Sequence, residues 1–367
     1  MNPASKSLSQ RLRENILHQW YGKPSWLYFL LPLELFFRWV GFRRRQQKNV
    51  SSRSIKTPLI VVGNISVGGT GKSPLIGGIT QYFQERGERV ALISRGYRLD
   101  GCTIDTPVKL TDSHCPSEVG DEPVMLKRRL KAPVVVCKNR LAAAKTAEEA
   151  YAPSVILSDD GMQHYQLPRD IEIAVIDERR KFGNGHCLPV GPLREPVTRL
   201  QSVDAIVLNG AEDHIENSEK IFLQILKETF DVPVFDMHLL ASKIVNLVTG
   251  EVQSLADWKG ESVTAIAGIG NPERFFHTLE EKALSVKGIK FPDHHNYQLD
   301  DLVFEGAAPV VMTEKDVVKC RELAAQLPHN NYWYVPVETE IEPAFWPWLE
   351  QQVQKVQQVQ QAAAVKS

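Results

Sequence analysis

The chain has 367 residues, of which 43% are apolar and 24% charged, so it is long enough for two globular domains and does not have the composition of a disordered or multi-span membrane protein. Its 43 lysines and arginines nearly balance 44 aspartates and glutamates, and this net charge of -1 gives no overall field that favours nucleic acid as a partner. The five cysteines are scattered without a Cys-x-x-Cys pair, which argues against a disulfide framework or a structural zinc site.

The first predicted element is an apolar segment at residues 26–42 that is rich in tryptophan, phenylalanine and leucine. It is at the lower length limit for a membrane span and contains Pro32, Glu34 and Arg38. Because Glu34 and Arg38 are four residues apart, they can pair on one helix face and leave the other face apolar. A basic cluster at residues 43–48 would be attracted to anionic headgroups on the cytoplasmic side. We expect an amphipathic helix at the membrane interface; a helix packed on the protein's own core is the alternative.

A phosphate-binding loop is predicted between a β-branched strand at residues 59–62 and a helical pattern that reaches about residue 85. Its sequence SVGGTGKS has serine where the strict phosphate-loop pattern has glycine. The loop N–H groups and the helix N-terminus would cradle phosphate oxygens, Lys72 would reach the β- and γ-phosphates, and the Ser73 hydroxyl would bind Mg²⁺. A glycine turn with an exposed lysine is the alternative. The predicted nucleotide-binding residues are Ser66, Val67, Gly68, Gly69, Thr70, Gly71, Lys72 and Ser73.

Two adjacent carboxylates, Asp159 and Asp160, follow a second apolar strand pattern at residues 155–158. A carboxylate at the carboxyl end of a strand, beside a phosphate loop, is where a metal-bound nucleotide needs oxygen ligands. An Asp-Asp-Gly sequence is also common in plain turns, which is the alternative. The upstream phosphate loop favours a role in metal binding.

Three further segments carry weaker signals. Asp121 and Glu122 lie before a predicted helix, where acidic residues also serve simply to start the helix. Arg194 is presented by a loop rich in proline and glycine, and its planar guanidinium group suits phosphate oxygens. His294 and His295 follow a Pro-Asp pair, a pattern more typical of a loop than of a site.

Taken together, the motifs occur in an order that resembles the tetraacyldisaccharide 4′-kinase family, the lipid A kinases. They are GGTGKSP at 68–74, SRGY at 94–97, GDEP at 120–123, DDGMQH at 159–164, GPLRE at 191–195 and FPDHH at 291–295. The resemblance extends from the apolar segment to about residue 315 and covers most of the chain. It implies transfer of the γ-phosphoryl group of ATP, with Mg²⁺, to the 4′-hydroxyl of a membrane-embedded glycolipid, at the cytoplasmic face of the inner membrane.

The same resemblance implies roles for individual residues. Asp121 would be the base, paired across a cleft with His294 or, as the competing choice, His295. Lys72 and Arg194 would act on the phosphates. The metal ligands would be Ser73, Asp159, Asp160 and Glu122. Residues expected on the substrate side are Arg95, Tyr97, Arg140, Gln163, His164 and Glu195.

The fold expected from the alternation of strand and helix patterns is α/β: a P-loop NTPase-like parallel sheet with helices on both faces, followed by a second, smaller α/β domain. The predicted limits are 1–48 for the membrane-interface region, 49–234 for the kinase domain, 235–350 for the second domain and 351–367 for a low-complexity tail. Two other functions fit the phosphate loop: a kinase of a soluble small molecule, and a nucleotide-driven membrane switch without an acceptor substrate.

Overall fold

The structure is a computed structural model, and it describes residues 8–22, 26–46, 55–96, 103–210, 217–304, 306, 308–327 and 330–364. Within these ranges the chain forms two β-sheets flanked by helices. The strands are β1 Leu59–Gly63, β2 Val90–Ser94, β3 Val108–Lys109, β4 Val134–Val136, β5 Val155–Asp159, β6 Ile171–Asp177, β7 Ala205–Gly210, β8 Val234–Leu240, β9 Lys243–Asn246, β10 Val252–Ser254, β11 Ser262–Ala267, β12 Ser285–Lys290, β13 Val310–Thr313, β14 Tyr332–Val335 and β15 Glu338–Ile341. The α-helices are α1 Leu8–Tyr21, α2 Leu31–Gln46, α3 Lys72–Glu85, α4 Pro116–Val119, α5 Asp121–Leu130, α6 Arg140–Tyr151, α7 Asn217–Thr229, α8 Pro272–Glu281, α9 Glu314–Cys320 and α10 Phe345–Ala364.

The larger sheet has nine strands in the order β15-β8-β7-β6-β1-β5-β2-β4-β3. Its inner strands are parallel, and only the edge strands β3 and β15 run antiparallel to their neighbours. Successive residues of β1 point to opposite faces: Ile60 and Val62 pack with α3, α5 and α10, whereas Leu59 and Val61 pack with α6 and α7. Because both faces are covered, the inner strands are apolar along their length. The predicted α/β class with a parallel sheet is confirmed.

The smaller sheet has six strands in the order β10-β9-β14-β13-β11-β12. Strands β14, β13, β11 and β12 are parallel, and β9 and β10 continue the sheet in antiparallel pairing. Helix α8 packs on one core of this sheet through Phe276 and Leu279, and α9 packs on another through Val317 and Cys320. We call this sheet with its helices the second domain.

The limits of the second domain differ from those expected from the sequence. Strand β8 begins at the expected boundary between the two domains, but it lies in the larger sheet. After β14, the chain returns to the larger sheet with β15 and α10. The second domain is therefore an insertion from β9 to β14. The strand pattern of β8 is weakened by Asp236 and His238, which pair with each other at 3.0 Å. Residues 351–364 continue helix α10, in which Val353 is buried against the core of the larger sheet.

The apolar N-terminal segment forms a 3₁₀ turn, Trp26–Leu30, followed by α2. Glu34 is only 3% exposed; its carboxylate accepts a hydrogen bond from the Cys187 N–H at 2.9 Å and lies 2.8 Å from His186 Nδ1. The expected pairing with Arg38 is also present, at 3.8 Å. Helix α2 is therefore docked through Glu34 on the segment that contains His186 and Cys187. Among the helices that the structure describes, none combines the length and the apolar content needed to cross a bilayer.

Most large apolar side chains of this segment remain uncovered, and we call the surface that they form the N-terminal apolar face. Phe29 is 86% exposed, and the other large apolar side chains on this face are more than one-third exposed. Its members are Trp26, Tyr28, Phe29, Leu31, Leu33, Leu35, Phe36, Phe37, Trp39 and Phe42. Arg43, Arg44 and Arg45 follow in the last turn of α2. The remainder of the expected basic cluster, residues 47 and 48, lies outside the described residues.

Candidate active site

The glycine loop connects the end of β1 to the first residue of α3, Lys72, as the sequence predicts. Gly68 and Gly71 have φ values of 105° and 96°, a region that only glycine adopts readily. A Cβ atom on Gly71 would lie 2.4 Å from the side-chain nitrogen of Asn209, so a side chain has no room there. Ser66, by contrast, forms a β-bridge with Leu193, an extended conformation that any residue can adopt. Serine therefore replaces the glycine of the strict pattern without backbone strain.

Neighbouring segments hold the loop in place. The N–H of Val67 donates to the carbonyl of Pro192 at 2.8 Å, and the side-chain amide of Asn209 donates to the carbonyl of Thr70 at 3.0 Å. The loop opens onto the N-terminus of the 14-residue helix α3, whose free N–H groups and positive dipole end favour an anion. This arrangement suits the terminal phosphates of a nucleotide.

Asp160 forms the acidic side of the site together with two cationic side chains. Lys72 Nζ lies 3.6 Å from Asp160 Oδ1, and the guanidinium of Arg194 donates to Asp160 Oδ2 at 2.8 Å. Burial opposes ionisation of this carboxyl, but Lys72 and Arg194 outweigh it and lower its pKa to about 2. The Asp160 side chain is therefore a fixed negative charge beside the phosphate loop.

Asp159 has a different environment although it is the adjacent residue. It ends β5, opposite Val62 of β1, and its side chain is buried with an Oδ1 atom that has no hydrogen-bond partner among the described residues. Burial and the nearby charges of Glu122 and Asp160 raise its pKa to about 7. An orphaned, buried carboxylate oxygen of this kind fits a cation, which would supply the missing partner.

A second acidic centre lies at the start of α5. Asp121 Oδ2 is 2.9 Å from Nδ1 of His294, which comes from the loop after β12 in the second domain. Burial alone would raise the pKa of Asp121, but the hydrogen bond to His294 and the charges of Lys315 and Lys319 lower it to about 2. The same hydrogen bond raises the pKa of His294. His295 instead pairs with Asp301 at 2.9 Å, so His294 is the histidine that contacts Asp121.

The two acidic centres belong to one site. Glu122, next to Asp121, is close enough to Asp159 to raise the pKa of that carboxyl, and its own carboxylate lies 3.6 Å from Lys315 Nζ. The second domain also comes close to the phosphate loop, because the guanidinium of Arg180, which lies beside Gly68, donates to the carbonyl of Gly270 at 3.0 Å. Groups from the phosphate loop, the larger sheet and the second domain therefore meet at the carboxyl edge of the larger sheet, where ligands bind in open α/β sheets.

A family model described as tetraacyldisaccharide-1-P 4′-kinase matches residues 26–354. The chain belongs to this family. The tetraacyldisaccharide 4′-kinase of Pseudomonas fluorescens is 40% identical over 349 residues, which cover 94% of this chain and 97% of the relative. That of Psychromonas ingrahamii is 41% identical over 331 residues, which cover 89% of this chain and 95% of the relative. The crystal structure of LpxK from Aquifex aeolicus in complex with ATP has a TM-score of 0.71 and 25% identity, and the match covers 90% of this chain and 99% of that one.

Membership in the 4′-kinase family confirms the resemblance seen in the sequence motifs, and with it the prediction that the chain is a kinase. The roles of single residues stay predictions. Lys72 and Arg194 both contact Asp160, and Asp121 contacts His294. These two groups are the ones expected to act on the phosphates and on the acceptor.

The residues expected on the substrate side differ in their surroundings. Arg140 is 3% exposed and donates to the carbonyl of Asp159 at 2.7 Å, which places it behind the site. Burial and the charges of Arg140 and Arg95 lower the pKa of His164 to about 4. Arg95 itself is exposed at the end of β2. Tyr97 lies outside the described residues.

Gln163 and Glu195 belong to a polar network beneath the loop. The amide of Gln163 donates to the Asn64 carbonyl at 3.0 Å and to Glu195 at 2.8 Å. Glu195 is 8% exposed and also accepts from the Tyr165 hydroxyl and pairs with Arg199 at 3.2 Å. These contacts indicate that Glu195 supports the Arg194 loop, because its carboxylate is already fully engaged.

Several site residues were not predicted from the sequence. Lys315 and Lys319 of α9 surround Asp121, and Arg274 of α8 connects the second domain to the strand ends beside the loop. The guanidinium of Arg274 pairs with Asp177 at 2.9 Å and donates to Asn209 at 3.2 Å. Only Lys315 lies in a segment that resembles the family, MTEKD at residues 312–316. Nothing in the local pattern distinguishes the other side chains from ordinary surface charges.

Proposed function

We propose that the chain transfers the γ-phosphoryl group of ATP to the 4′-hydroxyl of tetraacyldisaccharide 1-phosphate, which forms lipid IVA in lipid A biosynthesis. The observation that carries the proposal is the meeting of a phosphate loop with a His-paired aspartate from a separate helix, in a chain of this kinase family. A nucleotide switch needs the first of these features but not the second.

The proposed nucleotide site is the loop from Ser66 to Ser73. Backbone N–H groups of the loop and the N-terminus of α3 would bind the phosphates, and Lys72 would contact the β- and γ-phosphate oxygens. Arg194 would stabilise the charge of the transferring group, for which its planar fork is suited. The Lys72–Asp160 and Arg194–Asp160 contacts keep both cations near the proposed position of the transferring phosphoryl group.

In the proposed reaction, Asp121 accepts the proton of the 4′-hydroxyl as the sugar oxygen forms a bond to the γ-phosphorus and the bond to the β,γ-bridging oxygen breaks. The transition state of phosphoryl transfer is loose, and the hydroxyl becomes strongly acidic only late in the reaction. A carboxylate with a low pKa is therefore sufficient, provided that it is held in place. His294 holds it through the 2.9 Å contact.

The residues present fit a bound Mg²⁺ ion. Asp159 offers the orphaned carboxylate oxygen, and oxygen ligands are what Mg²⁺ prefers. The proposed protein ligands are Ser73, Asp159, Asp160 and Glu122. When bound, the ion would neutralise negative charge on the β- and γ-phosphates.

The proposal is tested by following the label of γ-labelled ATP with Mg²⁺ and vesicles that contain tetraacyldisaccharide 1-phosphate. We expect label on the lipid, at the 4′-position. Label recovered only as inorganic phosphate would instead support a nucleotide switch. Efficient transfer of the label to a small molecule in a soluble extract, with none to the lipid, would support a kinase of a soluble small molecule.

We also propose that the N-terminal apolar face lies in the cytoplasmic leaflet of the inner membrane and brings the site to the headgroup of its substrate. Ten large apolar side chains face outward there, beside three arginines that can contact anionic headgroups. A substrate with four acyl chains stays in the bilayer, so a kinase that meets it at the surface needs such a contact.

This attachment can be tested without removing the segment. Deletion of residues 1–48 would also remove Glu34 and expose its partners at 186–187, so point variants are preferable. The triple variant Phe29→Ser, Leu35→Ser and Phe36→Ser is expected to weaken vesicle binding at least about 100-fold, because burial of each side chain contributes up to about 1.5–3 kcal/mol. Sedimentation with anionic vesicles measures this. The control is Val359→Ser, which removes an equally exposed apolar side chain from α10. Equal sedimentation of the triple variant and the control contradicts the proposal.

A further inference from the structure

One oxygen of Asp121 faces a histidine and two lysines, and all three come from the second domain. Oδ2 lies 2.9 Å from His294 Nδ1, 3.8 Å from Lys319 Nζ and 3.9 Å from Lys315 Nζ. The other oxygen, Oδ1, accepts the N–H of Glu122 at 3.0 Å. The orientation of the proposed base is thus set on one side by its own helix and on the other side by the second domain.

Lys319 differs from Lys315 in its burial. Its side chain is 2% exposed, and its ammonium has no hydrogen-bond partner among the described residues. It lies between two carboxylates, Asp121 at 3.8 Å and Asp316 at 3.6 Å, and 5.5 Å from the ring of Tyr297. Removing an ammonium from water is costly unless opposite charges compensate for it. One of the two compensating charges is the proposed base.

Asp316 anchors this lysine in the second domain. Its Oδ2 accepts the Gly268 N–H at 3.0 Å and the Thr313 hydroxyl at 2.6 Å, while its fully buried Oδ1 faces Lys319. Because these contacts fix Asp316, they also fix the ammonium that it holds. A buried ion pair that served stability alone could be replaced by apolar residues with little loss.

We propose that Lys319 is a positioning residue for phosphoryl transfer, which holds the Asp121 carboxylate in the orientation that receives the acceptor proton. This inference rests on the proposed function and deepens it: the base is correctly placed only when α9 of the second domain lies against α5. Lys319 reaches the substrate through Asp121 and contacts neither ATP nor the sugar. Lys315 is more exposed and shared among Asp121, Glu122 and Asp293, so it does not fix one carboxylate.

The test compares Lys319→Met with Glu314→Gln. The control breaks a different ion pair between the same two helices, Glu314–Arg129 at 2.8 Å, which does not involve Asp121. We expect Lys319→Met to lower kcat about 10- to 100-fold, since small displacements of a catalytic group have effects of that order, with the KM for ATP unchanged. Glu314→Gln should keep kcat close to that of the wild type. Wild-type kcat in Lys319→Met, or an equal fall in both variants, overturns the proposal.

A double variant separates positioning from folding. If Lys319 acts through Asp121, then Lys319→Met should lower kcat no further in an Asp121→Asn background, whereas a general structural defect would lower it again. Should Lys319→Met fail to fold, Lys319→Arg takes its place, because it keeps the charge but moves the donor atoms; wild-type kcat in that variant overturns the proposal. Absence of lipid phosphorylation by the wild-type protein would instead contradict the proposed function itself.

Discussion

The variant Asp121→Asn is expected to lower kcat by about 10²- to 10⁴-fold, the usual contribution of a general base. Asparagine has the same shape as aspartate and can still accept the hydrogen bond from His294, but it cannot accept a proton from the sugar hydroxyl. Because Asp121 is placed on the acceptor side, the KM for ATP should stay close to the wild-type value. Initial rates of lipid phosphorylation at saturating ATP measure the effect.

Asp301→Asn is the matched control for this experiment. Asp301 pairs with His295 at 2.9 Å, the same distance that joins Asp121 to His294, but it does not contact Asp121. We expect the control to keep most of the activity. A wild-type rate in Asp121→Asn would remove Asp121 from the mechanism, and a loss confined to Asp301→Asn would point to His295 as the relevant histidine.

The variant Lys72→Met is expected to reduce kcat by about 10²- to 10³-fold, the effect of removing one preorganised group that stabilises transition-state charge. Methionine keeps the aliphatic stem in place, so the change removes little more than the ammonium. The apparent affinity for ATP should also fall, because Lys72 is proposed to contact phosphates in the ground state as well. Single-turnover transfer and equilibrium ATP binding separate the two effects.

Lys181→Met serves as its control. Lys181 lies 3.6 Å from Glu178, the same separation as between Lys72 and Asp160, but it is 40% exposed and outside the glycine loop. Ion pairs of this exposed kind contribute little. Retention of normal ATP affinity and rate by Lys72→Met would contradict the proposed nucleotide site.

The sequence was informative where the chemistry depends on neighbouring residues. Strand, glycine loop and helix follow one another around Lys72, because local sequence propensity determines these elements. Asp159 ends the strand beside them, because parallel strands place their carboxyl ends at one edge of the sheet. His294 was expected to pair with Asp121 only through family resemblance. The two residues are 173 positions apart, and no periodic pattern can place them in contact.

The features that sequence reasoning missed depend on how separate segments pack. Glu34 was expected to pair with Arg38 on one face of α2, but it is also buried against His186 and Cys187, since a loop from the kinase domain covers it. Lys319 has the spacing of an ordinary helical salt bridge to Asp316, and its contact with Asp121 exists only because α5 and α9 pack together. Strand β8 carries two polar side chains in its middle, which concealed its membership of the larger sheet.

We propose that one site holds the terminal phosphates of ATP between Lys72 and the carboxylates at the ends of separate elements. A crystal structure of the protein with a non-hydrolysable ATP analogue and Mg²⁺ tests it most directly. We expect Lys72 Nζ within hydrogen-bond distance of the γ-phosphate, Ser73 or Asp159 oxygens at about 2.1 Å from the metal, and Asp121 facing the γ-phosphorus. Phosphates bound away from the glycine loop, or a metal held by none of these residues, would contradict the account.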